Sequence, residues 1–247
     1  TKIALIGDEF YYLSQPFDKT KEKTIKFFIE DGRTQGKKLS VEELEKLSVA
    51  DALRAVQFAE VVVLLIDAEL GVEKQDLKIA SLVVQEGRAL VIAINKWDLV
   101  RDRITTKREV SDVLTRSLPQ LKGVEVVQFS ALTGQGTKKL MPTVLKSYDL
   151  WNSRIPTSIL NEWLAATLDK HPPPLVGGRR IKMRFMAQVK SRPPTFVVFT
   201  NRPGDVPNSY MRYMENELRQ DFDLPGTPIR FLHRKGENPY HKTSRRH

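Results

Sequence analysis

Two nearly continuous apolar runs stand in the first half of the chain, EVVVLLIDA (60–68) and ALVIAIN (89–95). Neither alternates with polar residues. A strand that is apolar at every position has to be covered on both faces. Between them, EKQDLKIASLVVQEG (73–87) repeats its apolar residues at helical spacing and stops at a glycine. The same rhythm extends in both directions. KIALIG (2–7), TIKFFI (24–29) and VEVVQFS (124–130) predict strands. Residues 40–59, 107–117 and 137–154 predict helices, the first opened by a capping box of Ser40 and Glu43. Strands separated by helices predict an α/β domain over 1–154, with a mostly parallel sheet and helices on both faces.

From residue 155 the pattern changes. PTSILNEWLAATLDKH (156–171) predicts a helix starting at Thr157 or Ser158, and PPPLVGG (172–178) a stiff turn. Two strands follow around a Pro-Pro turn. In the first, Ile181, Met183, Phe185 and Ala187 alternate with Lys182, Arg184, Met186 and Gln188, predicting one apolar and one partly basic face. A helix over 208–222 and a strand over 227–234 complete a small α+β domain, 155–235. The polar, basic segment 236–247 reads as a flexible tail.

Charge sharpens this division. Residues 170–247 hold 16 Lys or Arg against 6 Asp or Glu, which is the whole +10 of the 247-residue chain; residues 1–169 hold 24 of each. A neutral domain followed by a basic one points to a polyanionic partner for the second, with a merely solvated basic surface as the alternative. The chain contains no cysteine, which excludes disulfides and thiolate metal sites. No apolar run reaches the roughly 20 residues that span a bilayer. The four histidines show no metal-ligand spacing, and no metal site is expected from side-chain spacing.

The second apolar run ends in Asn95-Lys96-Trp97-Asp98. In an open parallel sheet, ligands lie beyond the carboxyl ends of the strands. A carboxylate there can accept two adjacent N–H bonds, and guanine offers such a pair at N1 and N2 while adenine does not. Asn95 can hold the loop and reach the other base edge, and the methylene stem of Lys96 can cover the ring. Capping of the next turn by Asn95 and Asp98 is the competing reading. The next strand ends in Ser130-Ala131-Leu132, where a small residue lets the loop approach the ring and a backbone N–H can face O6. Trp97 reads as loop packing, and Trp151 and Trp163 as core packing or packing between domains.

These stretches, with EKLSVADALRAVQFAEVVVLLIDAELGVEKQDLKIA, HPPPLVGGRRIKMRFMAQVKSRPPTFVVFTNRP and SYMRYMENELRQDFDLPGTPIRF, closely resemble the Der (EngA) GTPases. The match runs from Glu45 to Arg234, over the second G domain and the KH-like domain of that family. The resemblance implies a P-loop GTPase fold, GTP or GDP with magnesium as cofactors, and GTP hydrolysis. It also implies a role in assembling the large ribosomal subunit through its RNA. Further implications are a monomer, a first G domain upstream, and a cytoplasmic, ribosome-associated location or its organelle counterpart.

Some family features do not line up. Gly7 fits the first glycine of a phosphate loop, but no Gly-Lys-Ser follows. Asp31-Gly32 is a poor substitute for the magnesium-orienting motif. Only 16 residues separate Gly7 from Thr24, too few for a phosphate loop, its helix and a switch loop. We read breaks after Gly7 and between Phe28 and Gly32; the alternative is a degenerate, non-hydrolysing RNA- or ribosome-binding scaffold. An adenine-nucleotide enzyme is a third reading, against which Asp98 stands. In the basic domain no G-x-x-G clamp appears. Arg179, Arg180, Lys182, Arg184, Lys190 and Arg192, with Arg202, Arg234 and Lys235, are instead the expected contacts to RNA phosphates, giving salt-sensitive attachment. Contact of this domain with the G domain is its second expected use.

Overall fold

The computed structural model describes residues 3–6, 11–13 and 56–235, and side chains only within 56–235. The expected strand at 24–29, the capping box at Ser40, Gly7, Asp31-Gly32 and the tail therefore lie outside the described residues. The chain divides into two compact units. One runs to Asn152 and includes Leu224–Pro228; the other holds Ser153–Asp223 and the chain after Pro228.

The first unit contains β1 (Ile3–Ile6), β2 (Tyr11–Leu13), β3 (Val61–Asp67), α1 (Lys74–Gln85), β4 (Ala89–Asn95), α2 (Arg103–Ser117), β5 (Glu125–Gln128) and α3 (Leu140–Trp151). The sheet order is β2-β1-β3-β4-β5, parallel throughout except for β2. The apolar runs do what their composition requires. Val62, Leu64, Ile66, Leu90, Ile92 and Ile94 point to one face, where they meet Ala80 and Val83 of α1 and Val110 and Leu114 of α2. Val61, Val63, Val91, Ala93 and Val127 point to the other, against Val144 and Trp151 of α3. Each such buried side chain contributes about 1.5–3 kcal/mol relative to exposure.

Three boundaries differ from the sequence reading. Helix α2 begins a turn earlier than Lys107, because Asp102 caps it: its Oδ1 accepts the Thr105 N–H at 3.0 Å. Strand β5 ends at Gln128 rather than Ser130. Helix α3 is shorter than 137–154, with one 3-10 turn over Thr137–Lys139 before it.

The second unit contains α4 (Thr157–Lys170), β6 (Met183–Ser191), β7 (Pro194–Thr200), α5 (Asn208–Asp221) and β8 (Arg230–Lys235). Its sheet order is β6-β7-β8, with β6 antiparallel and β8 parallel to β7. Asn161 of α4 fastens the helix to the edge strand. Its Oδ1 accepts the Met186 N–H at 2.9 Å and its Nδ2 donates to the Met186 carbonyl at 3.0 Å. Gln188 does the same just ahead of α4, accepting from Ile155 N–H at 2.8 Å and donating to Ser153 O at 2.9 Å.

The alternation expected for β6 is corrected here. A register shift between Met183 and Phe185 inserts a bulge. Ile181 and Met183 are buried as expected. Beyond the bulge the parity inverts: Met186 and Gln188 turn inward, at 0% and 6% exposure, while Phe185 turns outward.

Candidate guanine-binding site

Strands β3 and β4 end side by side, with Asp67 paired to Asn95 in register. The chain then reverses through Lys96, which takes a left-handed φ of 58°. A non-glycine residue there costs roughly 1–2 kcal/mol, so neighbouring bonds must hold it. They are present. Asn95 Oδ1 accepts the Lys96 N–H at 2.8 Å and, across the loop, the Ala131 N–H at 3.0 Å. Lys96 O accepts the Leu99 N–H at 3.0 Å, closing a turn around Trp97 and Asp98. Trp97 donates its N–H to Phe129 O at 3.1 Å, and its side chain is buried in the core below.

The loop after β5 is braced by Ser130, which is fully buried. Its N–H donates to Gln135 O at 2.8 Å, its carbonyl accepts from Gly134 N–H at 3.0 Å, and its Oγ accepts from Thr133 N–H at 3.1 Å. Gly136, at φ 77°, returns the chain toward α3. A Cβ there would collide with the Gln128 carbonyl, so glycine is required. Leu132, at the loop tip, is 90% exposed.

Asn95, Lys96, Asp98, Ser130, Ala131 and Leu132 thus occupy two adjoining loops at the carboxyl edge of the sheet. Their roles are unequal. Asn95 and Ser130 are consumed in building the loops. The Ala131 N–H is given to Asn95 Oδ1. Asp98 is partly exposed, and its carboxylate makes no hydrogen bond or ion pair among the described residues. A carboxylate held in a fixed turn without an internal partner is available to a ligand.

The residue that sequence reasoning missed is Asp67. Its Oδ2 lies 2.5 Å from Lys96 Nζ, and its Oδ1 accepts the Glu69 N–H at 2.8 Å. Burial pushes this carboxyl up, but the Lys96 hydrogen bond and charge and the Glu69 N–H outweigh it, holding it below the ordinary value of 3.8. The signal was its position: Asp67 closes its strand where Asn95 closes the next. A carboxyl depressed by folding stabilises the fold above its ordinary value, and that contribution is lost as pH falls through the folded value. Lys96 is half exposed, which limits the pair to about 1 kcal/mol or less. We expect Asp67→Asn, which keeps an acceptor for Glu69, to lower the unfolding midpoint slightly at pH 7. The difference from wild type should begin to shrink below about pH 4, where the unfolded carboxyl protonates, and vanish as pH falls through the lower folded value; urea titrations across that range measure it.

The expected RNA-contacting residues Arg179, Arg180, Lys182, Arg184, Lys190 and Arg192 are all exposed. Gly177 and Gly178 make a two-residue turn between Val176 and Arg179, both at positive φ, rather than a G-x-x-G clamp. Among the described residues no group of three His, Asp or Glu side chains could hold a metal, and no helix is long and apolar enough to cross a membrane.

Residues 49–149 match the elongation factor Tu GTP-binding domain, and residues 154–234 match the carboxy-terminal KH-domain-like unit of EngA bacterial GTPases. GTPase Der of Parvibaculum lavamentivorans is 55% identical over 199 residues, covering 81% of this chain and 42% of that protein. The chain belongs to the Der (EngA) family. GTPase Der of Dinoroseobacter shibae is 54% identical over 207 residues, with coverage of 83% and 42%. This Der-family chain therefore spans about two fifths of the length of the relatives it matches. Among solved structures, Aquifex aeolicus Era bound to GDP and AlF4 is 18% identical, with a TM-score of 0.37, over 83% of this chain and 74% of that one. That likeness is too loose to carry weight. The Der-type KH-like domain accounts for the unit after residue 153, and the GTP-binding domain for the parallel sheet before it.

Proposed function

We propose that the chain binds and hydrolyses GTP as a switch in assembly of the large ribosomal subunit, its KH-like domain contacting ribosomal RNA. The observation that carries the nucleotide half is the carboxylate of Asp98, which has no partner among the described residues and is fixed in a turn that Asn95 and Trp97 lock in place. Guanine N1–H and N2–H would donate to it side by side. With its ammonium drawn to Asp67, the methylene stem of Lys96 is the part left to lie against the ring. Leu132 lies at the exposed tip of the adjoining loop, and Ala131 keeps that loop free of a bulky side chain. Hydrolysis would be attack of water on the γ-phosphate of the magnesium complex of GTP. The segments assigned to phosphate and magnesium begin at Gly7 and lie outside the described residues, so the described residues support base selection and not the chemical step.

The RNA half is supported by the family's KH-like domain together with a +10 charge confined to residues 170–247. Two measurements test the reading. Unlabelled GTP should displace a fluorescent guanine nucleotide from the chain at least 10³ times more effectively than ATP, since adenine leaves Asp98 desolvated and unpaired. Binding to ribosomal RNA should weaken steeply with salt, as phosphate contacts require. Equal displacement by ATP would overturn the first half, and salt-independent binding the second.

A further inference from the structure

Lys96 has two acidic neighbours at the carboxyl edge of the sheet. Asp67 ends the adjoining strand, and Asp98 stands two residues on, in the turn that Lys96 opens. The backbone at Lys96 is settled by its bond to Asn95, so the side-chain torsions decide where the ammonium lies. A lysine ammonium is a compact charge with three donors on a flexible stem, and it can serve either carboxylate. The choice has a chemical consequence. An ammonium on Asp98 would occupy the lone pairs that a base needs as acceptors. An ammonium on Asp67 leaves them open.

The ammonium is on Asp67, at 2.5 Å. Asp67 is built to keep it there. Its side chain is 13% exposed, against 50% for Lys96. Its Oδ1 accepts the Glu69 N–H at 2.8 Å, which leaves Oδ2 for the ammonium. Its carbonyl accepts the Gly71 N–H at 2.9 Å, and the Ala68 N–H donates to Asn95 O at 3.1 Å, so the carboxylate is anchored to both strand ends. An ion pair with one partner half exposed adds little to stability; its larger effect is on where the charge sits. We propose that Asp67 is a positioning residue of the guanine site. It keeps the Lys96 ammonium off Asp98, so that both oxygens of Asp98 remain open to N1–H and N2–H of the base. This rests on the reading that Asp98 pairs with guanine, and it names the residue that keeps that pairing available.

The test is a mutant cycle on the whole chain, read by displacement of a fluorescent guanine nucleotide with GTP and with XTP. Xanthine carries a carbonyl where guanine carries its exocyclic amine. An ammonium on Asp98 would therefore obstruct guanine and could donate to xanthine. Asp67→Asn keeps an acceptor for Glu69 and loses the charge that holds Lys96. Its GTP-to-XTP affinity ratio should fall about fivefold, the scale of one half-exposed ion pair. Lys96→Met keeps the stem and removes the ammonium, and in that background Asp67→Asn should leave the ratio unchanged. A loop merely loosened by the substitution would weaken GTP and XTP alike. If Asp67→Asn leaves the ratio at its wild-type value, or lowers it equally in the Lys96→Met background, Asp67 does not act through Lys96 and the proposal is wrong. Should wild type still prefer GTP to ATP in that case, the guanine reading stands without it. If wild type shows no such preference, both fail together.

Discussion

Replacing Asp98 by asparagine is expected to convert a guanosine-nucleotide binder into a xanthosine-nucleotide binder. The carboxylate accepts two donors. An amide accepts one and donates one, so against guanine its NH₂ opposes the exocyclic amine, while xanthine presents a carbonyl at that position. The substitution should therefore weaken GTP and strengthen XTP, moving the ratio of their affinities by about 10³ or more. The fold should not change, because the turn is held by Asn95 Oδ1, the Leu99 N–H and the buried Trp97, and Asp98 takes no part in those bonds. Displacement of a fluorescent nucleotide by GTP and XTP from both proteins gives the ratio, and circular dichroism checks the fold. An unchanged ratio would remove the guanine assignment.

Truncation of Trp151 to alanine should produce the largest loss of stability. This side chain is 2% exposed and fills the face of the sheet opposite α1, against Val61, Val63 and Phe129. Its Nε1 donates to the Gly87 carbonyl at 2.7 Å. Removing it leaves a cavity worth about 3–5 kcal/mol and an acceptor without its donor, worth about 1–3 kcal/mol more. Trp151→Phe keeps most of the packing and loses only the bond, so its cost should be about 1–3 kcal/mol. Urea unfolding of the three proteins, followed at constant m, separates the two contributions. A shift below about 1 kcal/mol for the alanine variant would show that α3 is held to the sheet by something else.

The sheet of the first unit was legible because its strands leave no choice of parity. A run such as Val61–Ile66 is apolar at every position, so either face finds a covering helix. The loop after β4 was legible for a chemical reason, since a buried strand seldom ends in two polar side chains and a lysine without a use for them. Strand β6 was not legible. Phe185 and Met186 are both apolar, so either parity satisfies the hydrophobic pattern, and the bulge that decides between them follows from pairing with β7. The start of α2 was hidden for a related reason: Ile104 is 84% exposed, so its first turn shows no inward stripe, and only the Asp102 cap marks it. Asp67 was invisible as a partner of Lys96 because the two stand 29 positions apart along the chain, and only the sheet register brings them together.

One side-chain oxygen, that of Asn95, clasps two loops that leave different strands. The turn that carries Asp98 is therefore tied to the adjoining loop without help from a ligand. Little chain ordering accompanies entry of the base, so affinity is not diluted by an entropy of assembly. On the proposed reading, choosing the purine would be a standing property of the sheet edge, independent of whatever the phosphates later set in motion.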